Sequence, residues 1–373
     1  MIAITNAQLL TTDGITTQQT VFIENGEIKA ISDGTIPADY TTIDAGGSYI
    51  VPGFIDLQIY GSGGNLFSAF PTVDTLRQMD ADLIIKGTTG FLACLATNSM
   101  EVFYAAIDAA KAYRSEAKSF LGLHLEGPYL NPKRLGAHIP EYVKKATLEE
   151  VKTLIEYAEG TVKMMTLAAE LQEEEVIAYL REQDIVLSLG HSDANFEQAT
   201  AAYNSGFTTT THLFNAMPSI HHRAPNLPVA LFSHPTAAAS IIADGQHVNF
   251  EVVKMSYNLL KERIFLITDA VTACEVGPYQ HRLVGDKFTM ADGTLSGSNI
   301  TLLDAVKNCV NHCDIPLREA INMASLHPAR VMDMAEHTGI VEPGKIANLL
   351  LLNEDLTLQK AFVAGVEHLI VNN

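Results

Sequence analysis

Three side chains that could bind a metal ion follow runs of apolar or β-branched residues in the middle of the chain. Glu126 ends the run SFLGLHLE, and the Gly-Pro that comes next stops a strand. His191 follows IVLSLG and His212 follows FTTTT. Each residue alone would more often be a core or loop residue, but one carboxylate and two imidazoles form a normal ligand set for catalytic zinc. The sequence therefore predicts a metal site at Glu126, His191 and His212.

Asp269 is a further acidic residue in a position of the same kind, because it ends the apolar run RIFLIT. A carboxylate there has the reach to transfer protons to and from a reacting group. The alternative is a structural role, in which Asp269 caps the next element. Polar residues at the ends of such runs recur along the chain, at Gln58, Glu126, His191, His212, His247 and Asp269.

The spacing of these runs predicts the fold. Eight apolar or β-branched runs recur between about residues 50 and 270, and amphipathic helical segments separate them. Eight parallel strands with crossover helices form a (β/α)8 TIM barrel of the α/β class, in which the chemistry lies at the carboxyl ends of the strands. A doubly wound sheet is the alternative architecture. Either fold would gather the polar strand-end residues.

Both ends of the chain have a different sequence pattern, which predicts short strands and turns and shows no helical period. Asn25-Gly26 marks a hairpin near the start, and Ala364-Gly365 offers a turn near the end. These segments predict one small β-sandwich domain assembled from residues 1–52 and 341–373. Residues 53–340 would then form the barrel domain.

Composition narrows the class of protein. The 373 residues are 47% hydrophobic and 18% charged, which indicates a compact globular protein and not a disordered one. No apolar run reaches the length of about 20 residues that a membrane-spanning helix needs, and the start has no basic signal-peptide region. We therefore expect no membrane association and a cytoplasmic location. The net charge of −19 disfavours binding to nucleic acid.

Four cysteines do not form a disulfide framework, and free thiols are expected. Cys309 and Cys313 have the spacing of one helix face. They could be read as metal ligands, but buried helical cysteines are the better interpretation.

Several motifs together resemble a known family. The segments are PGFIDLQ, HLEGP, GHS, HLFNAM, ADGQH, TDA, LSGS and EPGKIANLLLL. They are similar to those of the amidohydrolase superfamily and, within it, of the N-acetylglucosamine-6-phosphate deacetylases. The resemblance covers nearly the whole chain. It implies a TIM barrel with a β-sandwich from both termini, and hydrolysis of the substrate acetamide to glucosamine 6-phosphate and acetate.

The same resemblance implies roles for individual residues. Asp269 would be the general base that deprotonates the metal-activated water and then the acid that protonates the amine. His138, in GAHIP, would polarise the carbonyl group, with a surface-loop histidine as the alternative. The residues that would contact the substrate are Ala137, Asn215, Ala216, His247, Leu295, Ser296 and Gly297. Arg223 would bind the phosphate, in the neighbouring active site of a homodimer, unless it is only a solvated surface residue.

One departure from many amidohydrolases bears on the metal. Where they carry His-x-His at the end of the first strand, this chain has Gln58-Ile59-Tyr60. We therefore expect one tightly bound divalent ion per subunit, with Gln58 hydrogen-bonding near its water. Zn²⁺ is favoured, and Fe²⁺ or another divalent ion would also suit the ligands. No lysine stands where a bridging carbamylated ligand would, since Glu170 occupies that region.

Other functions stay open at this point. An N-acetylgalactosamine 6-phosphate deacetylase or another mononuclear amidohydrolase acting on an N-acyl substrate would use the same residues. A non-enzymatic barrel with a binding or regulatory role is a third hypothesis, and it would be favoured by the loss of Asp269 or of a metal ligand. Neither loss has occurred.

Overall fold

The computed structural model describes residues 1–11 and 14–370. The strands, in chain order, are β1 (Ile2–Thr11), β2 (Gly14–Glu24), β3 (Glu27–Ser32), β4 (Thr41–Asp44), β5 (Tyr49–Pro52), β6 (Phe54–Ile59), β7 (Gly61–Ser62), β8 (Asn65–Leu66), β9 (Thr88–Ala96), β10 (Phe120–Glu126), β11 (Val162–Leu167), β12 (Val186–Leu189), β13 (Phe207–Thr210), β14 (Ala238–Ile241), β15 (Ile264–Leu266), β16 (Arg282–Val284), β17 (Lys287–Thr289), β18 (Leu349–Leu352), β19 (Leu358–Val363) and β20 (Val366–Leu369).

The α-helices of the same residues are α1 (Val73–Ile84), α2 (Met100–Tyr113), α3 (Leu148–Ala158), α4 (Glu174–Arg181), α5 (Phe196–Asn204), α6 (Leu227–Ser233), α7 (Phe250–Leu260), α8 (Leu302–Cys313), α9 (Leu317–Ala324) and α10 (Leu326–Val331). Short 3₁₀ helices cover Pro140–Tyr142, Ala169–Leu171 and Lys261–Arg263. Local sequence sets the helix starts. For example, Asn195 and Gln198 form a capping box on α5, and Thr301 and Asp304 form one on α8. None of these helices is both long and apolar enough to cross a bilayer.

Eight parallel strands form the central sheet, in the order β6-β9-β10-β11-β12-β13-β14-β15. All eight fall within the runs that the sequence singled out, so the predicted barrel is confirmed. Side chains such as Leu57, Leu92, Met164 and Phe265 form a fully or almost fully buried apolar cluster. Because the strands are parallel, their carboxyl ends meet at one face, and the polar strand-end residues are brought together there.

The second sheet is built from both ends of the chain, as the sequence predicts. Its path is β20-β19-β18-β5-β1-β2-β3, with β4 beside β1. The hairpin turns at Asn25-Gly26 and Ala364-Gly365 have positive φ at both residues, which suits two-residue hairpins. The sheet has an apolar core of its own that includes Ile4, Val21 and Phe362. The domain boundaries at 52/53 and 340/341 stay a prediction, and residues 12–13 and 371–373 of the terminal unit lie outside the described residues.

The cysteines agree with the prediction of free thiols. Cys94, Cys274, Cys309 and Cys313 are all unbonded and buried. Cys309 and Cys313 lie on α8, where both side chains pack in the core.

The seam between β6 and β15 closes the barrel without a regular ladder. Asp56 of β6 is completely buried, and its carboxylate accepts hydrogen bonds from the Thr268 amide at 3.2 Å and the Thr268 hydroxyl at 2.5 Å. Backbone hydrogen bonds from Asp269 to Gln58 (2.9 Å) and from Tyr60 to Ala270 (2.9 Å) complete the seam. At Asp269, three residues after the end of β15, the chain is therefore anchored against β6, the first strand of the barrel.

We expect this seam to make stability depend on pH. Burial raises the pKa of Asp56 from 3.8 to about 7, although its hydrogen bonds oppose the rise. Folding therefore takes up a proton between these two pKa values. The stabilisation is complete below pH 4 and is lost as the pH rises to 7, a contribution of about 4 kcal/mol. Urea unfolding between pH 4 and pH 8 measures the change, and Asp56→Asn should flatten it. An unchanged slope in Asp56→Asn would show that other groups carry the pH dependence.

Candidate active site

The three predicted metal ligands converge at the carboxyl ends of β10, β12 and β13. The Nε2 atom of His212 lies 3.0 Å from Glu126 Oε1, and the Nε2 atom of His191 lies 3.3 Å from the same oxygen. The two Nε2 atoms are 3.0 Å apart. All three side chains are buried. Glu126, His191 and His212 form the one group of this kind found in the described residues that could hold a metal ion.

The protonation of this cluster fits a cation. His191 Nδ1 lies 2.8 Å from the Arg134 carbonyl oxygen, which can only accept, so Nδ1 carries the proton and Nε2 presents a lone pair. His212 Nδ1 is buried and has no hydrogen-bond partner among the described residues. Tetrahedral zinc ligands at 2.0–2.2 Å from the metal would lie about 3.3–3.6 Å from one another, close to the separations here. The residues therefore suit a divalent ion bound by two nitrogens and one oxygen.

Glu126 is also the acceptor for a set of polar groups around the cluster. Gln58 Nε2 donates to Oε1 at 3.0 Å, while the Tyr60 hydroxyl and His138 Nε2, the latter at 3.1 Å, donate to Oε2. Burial opposes ionisation of Glu126, but the interactions with His191, His138 and His212 outweigh burial and lower the pKa of the carboxyl well below its usual range. Glu126 is thus held as a carboxylate in a fixed orientation.

The loops after the strands position three of the clustered side chains through unusual backbone conformations. His191, His212 and Asp269 all have positive φ, at 46°, 31° and 55°. Such strain at non-glycine residues clusters at functional sites. Glu170 braces the loop after His191, because its carboxylate accepts from the Ser192 hydroxyl at 2.7 Å and the Asp193 amide at 2.8 Å. Glu170 is thus a support for the site, and it is not among the clustered ligands.

Asp269 lies across the cluster from Glu126, and Gln58 links the two. Gln58 Nε2 donates to Asp269 Oδ1 at 2.7 Å. Burial raises the pKa of Asp269 well above its usual value, and the Glu126 and Asp56 carboxylates add to the rise while His212 opposes it. A carboxyl group with a raised pKa is a stronger base than an exposed one. A bound divalent cation would bring the pKa down by favouring the carboxylate.

His138 is oriented by Thr97. The backbone amide of Thr97 donates to His138 Nδ1 at 3.3 Å, and the Thr97 hydroxyl lies 2.9 Å from the same nitrogen. Because a backbone amide can only donate, Nδ1 is an acceptor in neutral His138, and Nε2 carries the proton. His138 therefore offers an N–H donor toward the cluster.

One cavity of about 160 Å³ encloses the cluster. The predicted residues that line it are Glu126, Ala137, His138, His191, His212, Asn215, Ala216, His247, Asp269, Leu295, Ser296 and Gly297. Arg223 is not among the lining residues. It is exposed in the loop before α6, and its guanidinium group makes no ion pair with the described residues. No lysine or arginine from those residues lines the cavity.

The chain is similar to known proteins over nearly its whole length. Residues 49–368 match the family model described as "Amidohydrolase family". The chain belongs to the amidohydrolase family. Among its relatives, the N-acetylglucosamine-6-phosphate deacetylase of Haemophilus influenzae is 34% identical over 92% of this chain and 93% of its own. The N-acetylgalactosamine-6-phosphate deacetylase of Escherichia coli O157:H7 is 32% identical over 96% and 97%.

A solved structure extends the likeness to the fold. The N-acetylglucosamine-6-phosphate deacetylase of Pasteurella multocida superposes with a TM-score of 0.94, at 31% identity and with 99% of each chain covered. Both the barrel and the sheet from the termini are therefore those of this branch of the amidohydrolase family. Amidohydrolases are metal-dependent, and the cluster of Glu126, His191 and His212 could hold the ion.

Some residues of this amidohydrolase cavity were not expected from the sequence. Leu66, Ala96, Val271, Tyr279 and His281 line it. The last two come from the segment between β15 and the small hairpin of β16 and β17, where no regular period is visible. The only indication in this segment was the pair of polar aromatic residues Tyr279 and His281, which are two residues apart. His281 Nδ1 lies 3.0 Å from the Ser296 hydroxyl, and burial lowers the pKa of His281 to about 4.

Proposed function

We propose that the chain is a metal-dependent deacetylase that hydrolyses the acetamide of N-acetyl-D-glucosamine 6-phosphate to D-glucosamine 6-phosphate and acetate. One observation carries the proposal: the Nε2 atoms of two histidines and a carboxylate converge beside Asp269 and His138 within a single cavity. Relatives in the same branch of the family carry that activity in their names. The reaction belongs to amino-sugar breakdown or recycling.

The residues divide the chemistry of amide hydrolysis between them. We propose one Zn²⁺ per subunit, held by Glu126, His191 and His212, and such an ion would acidify the attacking water and polarise the carbonyl. Asp269 accepts a proton from the water and later gives it to the amine, because the leaving group departs only when protonated. Gln58 holds Asp269 in place for both transfers.

His138 acts on the substrate oxygen in this mechanism. Its Nε2 proton, fixed by Thr97, is directed at Glu126 Oε2. A substrate carbonyl next to this nitrogen would accept the same hydrogen bond. The bond strengthens as negative charge develops on the oxygen, so His138 stabilises the tetrahedral state more than the amide.

The polar side of the cavity suits the sugar. The His247 Nδ1 proton is directed at the Asp244 carboxylate at 2.6 Å, which leaves Nε2 as an acceptor for a sugar hydroxyl. Burial alone would raise the pKa of Asp244, but the hydrogen bond from His247 outweighs it and lowers the pKa. We assign His247, the Asn215–Ala216 loop, Ala137 and the Leu295–Gly297 segment to substrate binding.

The phosphate needs a cation that the cavity does not supply from the described residues. We propose that Arg223 of a second subunit provides it in a homodimer, because a guanidinium group matches phosphate geometry. The exposed loop around Arg223 supports this arrangement, since its guanidinium group makes no ion pair with the described residues and lies at the surface, where another molecule can reach it. A charged phosphosugar does not cross a bilayer unaided, which favours a cytoplasmic enzyme.

A second candidate substrate is the galacto epimer. The Escherichia coli relative that is named for N-acetylgalactosamine 6-phosphate is almost as similar as the Haemophilus influenzae one. The same ligands, base and carbonyl donor would serve both sugars, because the epimers share the acetamide and the phosphate.

The deciding experiment is acetate release by the purified protein, with metal content determined on the same sample. N-acetylglucosamine 6-phosphate, its galacto epimer and the unphosphorylated sugar are compared. Rapid release that depends on phosphate, with about one metal ion per chain, is the expected result. Metal without release would exclude this substrate and leave other N-acyl compounds. Faster release from the galacto epimer would favour the second candidate.

Arg223→Ala should raise the KM for the phosphorylated sugar by about 10-fold to 100-fold, because a hydrogen bond between charged groups contributes about 1.5–3 kcal/mol. The unphosphorylated sugar, which has no phosphate to lose contact with, should be unaffected. Steady-state kinetics on both sugars measure the difference, and Arg282→Ala, at another exposed arginine, is the control. Equal losses on both sugars would rule out the phosphate role.

A further inference from the structure

The active-site cavity has two chemically different sides. One side carries the polar side chains of Asn215 and His247. The other side is lined by Tyr60, Leu66, Ala96, Val271 and Tyr279, which belong to one apolar cluster that is separate from the barrel core. All five side chains are at most 8% exposed. An enclosed apolar wall next to a hydrolytic site calls for an apolar part of the substrate.

The apolar wall adjoins the groups that act on the carbonyl. Ala96 is the register partner of Glu126 on the neighbouring parallel strand, so both side chains point to the same face. The Tyr60 hydroxyl donates to Glu126. The ring of Tyr279 lies 6.5 Å from that of His138, edge to face, and its hydroxyl donates to the Thr97 carbonyl at 2.5 Å. The wall is thus in contact with Glu126 and His138.

A tight backbone approach fixes the wall on its Val271 side. Gly297 has φ of 111°, and a Cβ atom there would lie 2.7 Å from Val271 Cγ1 and 2.9 Å from the Asp269 carbonyl oxygen. Only glycine allows this contact. Val271, two residues after Asp269, is therefore held against the Leu295–Gly297 segment that we assign to substrate binding.

We propose that Leu66, Ala96 and Tyr279 form an acyl subsite that selects the length of the N-acyl group removed. The inference rests on the proposed deacetylase function and names the part of the substrate that this wall binds. An N-acyl phosphosugar has hydroxyls and phosphate on one side of the scissile C–N bond and a short alkyl group on the other. Hydroxyls need polar partners, whereas an alkyl group gains from apolar burial, so the two ends match the two sides of the cavity.

Substitutions in this subsite should change which acyl lengths the enzyme prefers. One methylene in an apolar pocket changes specificity by about 10-fold to 200-fold. Ala96→Val adds two methyl groups beside Glu126, so it should reduce kcat/KM for propanoyl and butanoyl substrates at least about tenfold more than for the formyl one. Leu66→Ala removes part of the wall and should raise the ratio of butanoyl to acetyl hydrolysis about tenfold.

The experiment uses the metal-loaded enzyme with N-formyl, N-acetyl, N-propanoyl and N-butanoyl glucosamine 6-phosphate. Glucosamine 6-phosphate is the product of all four, so one assay compares them directly. Phe70→Ala is the matched control, because Phe70 follows β8 closely in the chain, is 42% exposed and does not line the cavity. Circular dichroism and metal content identify any variant that fails to fold. Calorimetric binding of the series to an Asp269→Asn background gives a readout without turnover.

Changed acyl-length ratios in both variants, with wild-type ratios in Phe70→Ala, are the expected result. Wild-type ratios in folded Leu66→Ala and Ala96→Val would overturn the acyl subsite while leaving the deacetylase function intact. Release from none of the four substrates by the wild-type enzyme would refute the proposed function itself, and the acyl assignment with it.

Discussion

Asp269→Asn should reduce acetate release by about 1,000-fold or more while the metal stays bound. General acid–base catalysis contributes about 10²-fold to 10⁴-fold, and Asp269 is proposed to act in both directions of proton transfer. The substitution is close to isosteric, and its side-chain oxygen can still accept from Gln58, which lies 2.7 Å from Asp269 Oδ1 in the wild type. Loss of the base should therefore leave the rest of the site in place.

Turnover and metal content are measured together on this variant. Asp292→Asn, which changes an exposed aspartate in a turn, controls for the general effect of the substitution. If Asp269→Asn kept wild-type turnover, Asp269 would not be the base. If it lost both turnover and metal, the residue would be needed to build the metal site, and proton transfer would have to be assigned elsewhere.

Glu126→Gln should leave the enzyme largely metal-free and inactive. The partners of metal ligands alone affect affinity by about 10-fold to 100-fold, so loss of a ligand charge is expected to weaken binding by more than about 100-fold. The surroundings add to the effect. Gln58, Tyr60 and His138 all donate to the Glu126 carboxylate, and an amide NH₂ group in its place would face donors.

Elemental analysis of the purified variant and calorimetric titration with Zn²⁺ measure this loss. Glu141→Gln is the matched control, because Glu141 is an exposed glutamate in the same stretch of chain. Wild-type zinc affinity in Glu126→Gln would remove Glu126 from the ligand set. Chelation of the wild-type enzyme should likewise abolish turnover, and one equivalent of Zn²⁺ should restore it.

The barrel and its polar face were predictable because they follow from local patterns. Each strand is an apolar run of the right length, and parallel strands end at one face, so Glu126, His191 and Asp269 had to lie near one another. The hairpin turns were equally local, since Asn25-Gly26 and Ala364-Gly365 provide the positive φ that such turns need. The apolar runs, together with the polar residues that end them, therefore contained most of the information about where the site lies.

Contacts that depend on distant segments could not be predicted in the same way. The pairing of Asp56 with Thr268 joins residues separated by 212 positions, and it exists only because the barrel closes. Tyr279 and His281 reach the cavity from a segment without periodicity. The brace from Glu170 to the Ser192–Asp193 loop depends on the geometry of two strand ends. In each case, the residue type alone was compatible with an ordinary surface or core role.

The seam between the first and last barrel strands also bears on motion. Gln58 and Asp269 stand on opposite sides of it, joined by the Asp269 amide to the Gln58 carbonyl at 2.9 Å and by the side-chain contact at 2.7 Å. Since β15 and β6 share no regular ladder, a local opening there would separate Asp269, the proposed base, from Glu126 without unfolding any other strand pair. Amide hydrogen exchange at Asp269 and Tyr60 should therefore report how often the proposed catalytic arrangement comes apart. Bound substrate that contacts both sides of the seam should slow that exchange.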